Sequence, residues 1–373
     1  MSASKRDILL IGGGRSHVAV LADWARKGLP AEHATLLTPD PTLRYSGMVP
    51  GWISGEPTRD AGLVDLIGLA KAAGVELVLD RCVAMDPVAR SVLTQDHGLL
   101  GFERASVDVG GVGQAARALG EDPKLIDVRP IGAFVDRIAA ELAQPRTRPL
   151  QIAVIGGGAG GVELAFALRH PVTASAPPEV TFIVGAGGVL PGFSSAVLDK
   201  VRAELRRQGI AVLNENARVE GGAVIAGSGS IESDFVVAAI GSTAPDWPRL
   251  SGMDVDEDGY IAVDAHQCST SHPHILAAGD CAQRMDTYVP HSGVHAVHAG
   301  PVLASNIRAI VNGGTPTRSY QPRPASLYLL STGRGDAILS YGRFAAQGRW
   351  VARLKAWIDK RWIASYAKLS DPS

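Results

Sequence analysis

Two glycine clusters hold the residues best placed to do chemistry in this sequence. Gly12, Gly13 and Gly14 follow the apolar run Ile8–Ile11, and Gly156, Gly158 and Gly161 follow Ile152–Ile155. Both clusters lead into an apolar helix pattern, so each reads as strand, glycine turn, helix. Such a turn aims free N–H groups and the positive end of the helix dipole at a diphosphate, and a Cβ on the glycines would block the approach. The second cluster completes the spacing GxGxxG; in the first, His17 holds the third glycine position. Thr38 ends the next apolar run, where that fingerprint places an acid for a ribose; Asp40 stands just beyond. The first cluster is therefore either a diphosphate cradle or an ordinary strand-to-helix turn.

Three further groups carry reactive side chains. Glu163 lies in the first turn of the second helix pattern. A carboxylate there either orients a bound ring amide for hydride transfer or complements the helix dipole by under about 1 kcal/mol. The segment His274–Cys281 (HILAAGDC) is an apolar strand ending in Gly279-Asp280, and Asp280 also suits a helix N-cap. His291, His295 and His298 are spaced i, i+4, i+7, one face of a helix, and imidazoles donate protons near neutral pH. No cysteine or acid within Pro290–Gly300 completes a zinc set, so no metal site is expected.

The cysteines Cys82, Cys268 and Cys281 are too far apart for CxxC or CxxxxC, which argues against a dithiol relay and for a reducing compartment. Cys281 reads either as a thiolate at a helix start or as a small buried residue. A length of 373 residues suits two or three domains, and 46% hydrophobic against 20% charged residues provides for a large core. A net charge of −1 gives no long-range pull on nucleic acid. The apolar run in MSASKRDILLIGGG stops after four residues, too short for a signal peptide, and no run nears the roughly 20 residues of a spanning helix. A cytoplasmic location is the expectation.

The elements that must position these groups repeat one design. Asp7–Gly28 followed by Ala34–Thr38, and Gln151–His170 followed by Val180–Val184, each read as a right-handed βαβ unit of a parallel sheet. Between them Val75–Met85 reads as one strand and Pro130–Leu142 as a helix, and the stretch Gln144–Pro149 marks a boundary. A helix over Ser194–Gln208, short strands, and a return to apolar strand at Ile275–Ala278 place the second unit inside the first. From about Ser326 short strands lead to a helix over Gly348–Leu369. It carries Trp350, Leu354, Trp357, Ile358 and Trp362 at helical spacing among Arg349, Arg353, Lys355, Lys360, Arg361 and Lys368. That helix either lies on a membrane surface or packs on this chain or a second copy with its cations snorkelling.

The paired glycine loops with a distal strand ending in Gly-Asp resemble the two-dinucleotide-domain flavoproteins of the pyridine nucleotide-disulfide oxidoreductase superfamily. The segment Gly161–Ala165 (GVELA) is similar to the nicotinamide loop of type II NADH dehydrogenases. Gly12–Leu21, Tyr45–Gly51 (YSGMVPG), Ala238–Trp247, Ser271–Pro273, Leu329–Gly333 and Lys355–Trp362 resemble more narrowly the flavoprotein domain found fused ahead of selenophosphate synthetase. The resemblance implies an α/β fold with two Rossmann-like domains binding FAD and NAD(P)H. The FAD domain would take residues 1–115 and 245–325, the nicotinamide domain 116–244, and a small α+β region 326–373. It assigns FAD to Gly12, Gly13, Gly14, Thr38, Met48, Val83, Gly279 and Asp280, with Asp280 on the ribityl chain, Val83 at adenine and Met48 beside the isoalloxazine. It assigns the nicotinamide cofactor to Gly156, Gly158 and Gly161 and a catalytic place near nicotinamide and flavin to Glu163; the histidine spacing, where the chain departs from the family, gives His291 a catalytic, flavin-facing place as a proton donor.

Departures leave the reaction open. The strand Val180–Val184 ends at Gly185-Ala186 with neither the glutamate of an NADH domain nor an arginine for a 2′-phosphate. The two glutamines of the type II quinone site are Val294 and His298 here. Three readings follow: hydride from NAD(P)H through FAD to a quinone or other small acceptor; a flavoenzyme of sulfur, selenium or specialised metabolism; and a flavin-bound regulatory module. A membrane surface and a second copy of the chain are the candidate macromolecular partners.

Overall fold

In a computed structural model the described residues are 7–173, 176–323 and 325–370. The opening Met1–Arg6, part of the stretch weighed above as a leader, lies outside them.

The first unit begins with β1 (Asp7–Ile11), α1 (Arg15–Lys27) and β2 (His33–Thr38), and continues through α2 (Leu66–Ala73), β3 (Glu76–Leu79) and β4 (Arg104–Val107). The second holds β5 (Leu125–Asp127), α3 (Ile131–Ala143), β6 (Gln151–Ile155), α4 (Ala159–Arg169), β7 (Glu179–Ile183), α5 (Ser195–Arg207), β8 (Ala211–Leu213) and β9 (Phe235–Ala238). The chain then makes β10 (Ile275–Ala277) and α6 (Gly293–Val311). It ends in three antiparallel strands, β11 (Leu327–Ser331), β12 (Ala337–Tyr341) and β13 (Phe344–Gly348), and α7 (Arg349–Ser370).

Two five-stranded parallel sheets result. The first has the order β10-β4-β1-β2-β3, with Ile11 opposite Leu37 and Ile275 opposite Ala105. The second has the order β5-β9-β6-β7-β8, with Ile155 opposite both Ile183 and Ala238. Strands covered on both faces need continuous apolar runs, and Ile8–Ile11 and Ile152–Ile155 are buried throughout. In both units the glycine turn lies at the carboxyl end of the central strand, where open α/β sheets bind their ligands.

The single strand expected over Val75–Met85 is two. Asp80 breaks it: its buried carboxylate accepts the N–H groups of Arg81, Asp96 and His97, and His97 Nδ1 lies 2.8 Å away. The chain turns there into an antiparallel sheet of Cys82–Asp86, Ser91–Thr94 and Leu99–Gly101.

The final helix packs on α2 and on the antiparallel strands of the last region, burying Val351, Asp359 and Tyr366. Its tryptophans do not share one face. Trp362 stacks on Tyr45 at 4.7 Å between centroids, whereas Trp350 and Trp357 are 52% and 57% exposed.

Candidate functional site

The first glycine loop is shaped by contacts within the chain. Gly12 has φ +95°, and a Cβ on it would stand 2.4 Å from the Asp108 carbonyl oxygen; one on Gly13 would stand 2.9 Å from Thr38 Oγ1. His17, in the third glycine position, is fully buried, with Nδ1 2.6 Å from Gly12 O and Nε2 2.8 Å from Ser106 Oγ. Burial lowers its pKa to about 4, so the ring is neutral and bridges the loop to β4. The N–H groups of Ser16 and His17, which begin α1, donate to Asp108 Oδ2 at 2.7 and 3.0 Å. Asp108 also lies within 2.4 Å of any Cβ built on Gly14 or Gly279, so its carboxyl fills the seam between the two segments matched to FAD. Burial pushes that carboxyl up to about 7, against the pull of the two N–H groups.

Asp280 faces the same seam. Arg129 donates to its Oδ2 at 3.0 Å, while Oδ1 is buried with no partner among the described residues. A buried carboxylate oxygen left free beside a glycine loop suits a hydroxyl donor from a ligand. Cys281 beside it is fully buried, with Sγ donating to Ala278 O at 3.3 Å, and burial pushes its thiol well up, so it stays protonated. Cys82, Cys268 and Cys281 are all buried, and none is in a disulfide.

The second loop divides its glycines by purpose. A Cβ on Gly161 would stand 1.8 Å from Gly156 O, and one on Gly156, at φ +124°, would stand 2.2 Å from Ala239 O. Those two permit the close packing of helix on strand. A Cβ on Gly158 or Gly160 would meet nothing within 4 Å. Bare backbone facing open space is what a bound diphosphate needs.

Between the loops lies a cavity of about 790 Å³. Arg15 and Tyr45 of the first unit, Ala159, Gly160 and Glu163 of the second, and Lys355 of the final helix all line it. Glu163 Oε1 accepts the Ser331 N–H at 2.9 Å and lies 3.8 Å from Lys355 Nζ. Lys355 Nζ also donates to Gly47 O at 2.9 Å and lies 3.4 Å from Asp359 Oδ2. Burial raises the Glu163 pKa, opposed by Lys355 and the Ser331 N–H. Burial by itself would lower Lys355, but Glu163 and Asp359 outweigh it and hold the ammonium charged. Arg15 donates to Ser46 Oγ at 2.6 Å and stands over the Tyr45 ring, and burial lifts Tyr45 to about 12.

Lys355 is a cavity residue that the sequence does not single out, because there it reads as one more cation on a basic helix. The histidine face is corrected: α6 starts at Gly293, so His291 precedes the helix. His291 instead stacks on Tyr260 at 3.8 Å, with Nε2 buried and unpartnered among the described residues. His295 and His298 line the cavity that holds Glu163; His291 does not. His295 Nδ1 is 2.7 Å from Tyr320 Oη. Thr38 is buried beneath Gly13, Met48 is buried at the end of the turn Ser46–Met48, and Val83 is 40% exposed.

A family profile for pyridine nucleotide-disulphide oxidoreductase matches residues 6–300. Ferroptosis suppressor protein 1 of Taeniopygia guttata is 26% identical over 297 residues, covering 75% of this chain and 74% of its own. Among solved structures, the sulfide:quinone oxidoreductase of Aquifex aeolicus is similar at TM-score 0.78 and 17% identity, over 98% of this chain and 92% of that one. The water-forming NADH oxidase of Lactobacillus brevis bound to NADH follows at 0.72 and 20%, over 90% and 75%. The structural likenesses carry the fold, an α/β pair of Rossmann-like sheets. With the profile spanning both glycine turns and the strand β10 that leads to Asp280, this chain belongs to the pyridine nucleotide-disulphide oxidoreductase family.

Proposed function

We propose that this protein is an FAD-dependent oxidoreductase that takes hydride from NAD(P)H and delivers electrons to a quinone or another small acceptor. FAD with NAD(P)H is the cofactor pair of the family, and the residues fit it. The unpartnered Asp280 oxygen suits a ribityl hydroxyl, and the open backbone at Gly158 and Gly160 suits the nicotinamide diphosphate. The observation that carries the reading is the cavity shared by the starts of α1 and α4, with Glu163 and Lys355 inside it. The same reading gives residues 1–115 and 245–325 to FAD, 116–244 to the nicotinamide cofactor and 326–373 to a covering region.

The bound pair supplies hydride transfer from nicotinamide to flavin and onward release of two electrons. The chain supplies positioning and charge. Gly12–Gly14 with Arg15 place the FAD end of the site, and Asp280 holds the ribityl chain. Glu163, fixed by the Ser331 N–H, orients the nicotinamide carboxamide. Lys355, charged and shared between two carboxylates, holds a proton at Nζ within the cavity. His291 serves as a flavin-side group, lining a small cavity together with Gly279 and Asp280. The exposed Trp350 and Trp357 support a surface contact of the final helix with lipid or with a second copy.

Anaerobic titration with NADH and NADPH tests the function: the purified yellow protein is expected to bleach with at least one of them. Asp280→Ala should lose FAD on desalting, with a Kd raised on the order of 100-fold, as a charged hydrogen bond to the cofactor disappears. Glu163→Gln, which keeps an acceptor for Ser331, should stay yellow and bleach about 10- to 100-fold more slowly. A colourless protein that refuses added FAD, or a Glu163→Gln variant as fast as the parent, overturns these assignments.

A further inference from the structure

A second cavity, of about 960 Å³, opens on the other side of Lys355. It shares Gly47, Lys355 and Asp359 with the cavity that holds Glu163, and no residue of either glycine loop lines it. The nicotinamide cofactor therefore has no claim on it, while anything inside it reaches the same buried ammonium from behind. Its rim is cationic. Arg334, Arg349, Arg353 and Lys360 line it, and none of the four side chains makes a hydrogen bond or ion pair with a described residue. Of the acids there, Asp359 already faces Lys355 and Asp336 Oδ1 accepts the Ala337 N–H. Glu56 is the remaining carboxylate.

Arginines along a surface helix ordinarily find carboxylates within a turn, or solvate singly. Here Arg349, Arg353 and Lys360 come from one helix and Arg334 from the facing hairpin turn, and they converge on one concave space. Guanidinium forks so placed match carboxylate, sulfonate or phosphate oxygens in pairs, and a concave site concentrates their field. The volume suits a ligand of two or three fused rings.

We propose that this cavity receives the electron acceptor and that the acceptor is anionic: a quinone-type conjugated dicarbonyl bearing a carboxylate, sulfonate or phosphate group, seated with that group on Arg349 and Arg353. The inference rests on the reading that the flavin passes electrons to a small acceptor. The balance is NAD(P)H + H⁺ + quinone → NAD(P)⁺ + hydroquinone. The nicotinamide gives up two electrons and one proton as hydride, and the dicarbonyl gains both electrons, that proton and a second one from solvent. Lys355, common to both cavities, is the group placed to hand a proton to the reduced oxygen.

The test uses the FAD-loaded full chain with two probes of one ring system, 1,4-naphthoquinone-2-sulfonate and the uncharged menadione. Arg349→Ala/Arg353→Ala is expected to raise KM for the sulfonate about tenfold, and to leave menadione KM and the anaerobic bleaching rate within about twofold. Arg349→Lys/Arg353→Lys should restore part of the loss. Quenching of tryptophan fluorescence by the sulfonate in the oxidised protein should show the same shift in Kd without turnover. Equal effects on both probes, or no effect on either, overturn the proposal. Sulfonate binding that shifts with the variants while neither quinone is turned over removes the acceptor role of this cavity, whereas failure of NADH and NADPH to bleach the protein overturns the electron-transfer reading beneath it. Cosedimentation with phosphatidylglycerol vesicles that is lost in Arg349→Ala/Arg353→Ala, with sulfonate affinity unchanged, assigns the cations to a lipid surface instead.

Discussion

A valine in place of Gly158 is expected to leave the protein folded and yellow while slowing its bleaching by NADH or NADPH more than about 100-fold at fixed reductant. Gly158 caps α4 at φ −71° and ψ 177°, a conformation open to any residue, so the backbone is not strained by the change. The new side chain projects into space that no protein atom fills within 4 Å. If that space belongs to the nicotinamide diphosphate, a branched side chain there excludes it by direct overlap. The contrasting variant is Gly161→Ala. Its Cβ would lie 1.8 Å from Gly156 O, so the start of α4 must part from the loop. Such overpacking costs on the order of 1–3 kcal/mol or more, and a fall in Tm is expected before any kinetic effect can be read. Anaerobic stopped-flow reduction with thermal melts of both variants separates the two roles. A Gly158→Val protein that bleaches like the parent would show that no cofactor passes over this glycine.

The second large effect concerns Asp108, whose carboxyl is held near 7 by burial between Gly14 and Gly279. In the unfolded chain this group titrates near 4. A carboxyl raised on folding keeps its proton in the native state after the unfolded chain has lost its own. Stability of the cofactor-free protein therefore falls as pH rises from about 4 to about 7 and then levels, by at most about 4 kcal/mol. FAD adds to the pull. Its diphosphate would bring negative charge beside a carboxyl that already faces Asp280, with Arg15 and Arg129 as the nearby cations, and neutral His17 and the protonated Cys281 completing the surroundings. Binding then favours the protonated acid, so Kd for FAD should weaken above pH 7 by up to about tenfold per unit. Asp108→Asn keeps an acceptor for the Ser16 and His17 N–H groups and removes the charge. It should bind FAD with a nearly flat pH profile and, at pH 9, roughly 10- to 100-fold more tightly than the parent. Fluorescence titration of FAD at several pH values measures this, and parallel profiles for the two proteins would remove Asp108 from cofactor binding.

What the sequence allowed to be read, and what it hid, follows from the range of the interactions involved. The two strand-turn-helix units rest on apolar periodicity and glycine spacing within some twenty residues, and these local signals are visible in one dimension. The role of His17 is not, because its partner Ser106 lies on a neighbouring strand 89 residues away. A polar pair in an apolar strand, Ser106 and Asp108, was the available signal. Lys355 was hidden for the same reason: on a helix rich in exposed cations, only the tertiary fold shows which of them turns inward to a carboxylate. The break at Asp80 was concealed by the apolar run on either side of it, since one carboxylate capturing three N–H groups leaves no trace in periodicity.

The strand order has a consequence for how the chain acquires its shape during synthesis. All five strands of the second sheet lie between residues 125 and 238, so that unit can close as soon as it has emerged. The first sheet cannot, because β4 pairs on one side with β1 and on the other with β10, which begins only at Ile275. Through the translation of about 170 residues the nascent chain carries an unpaired strand edge, the kind of surface that chaperones shield and that neighbouring nascent chains can wrongly extend.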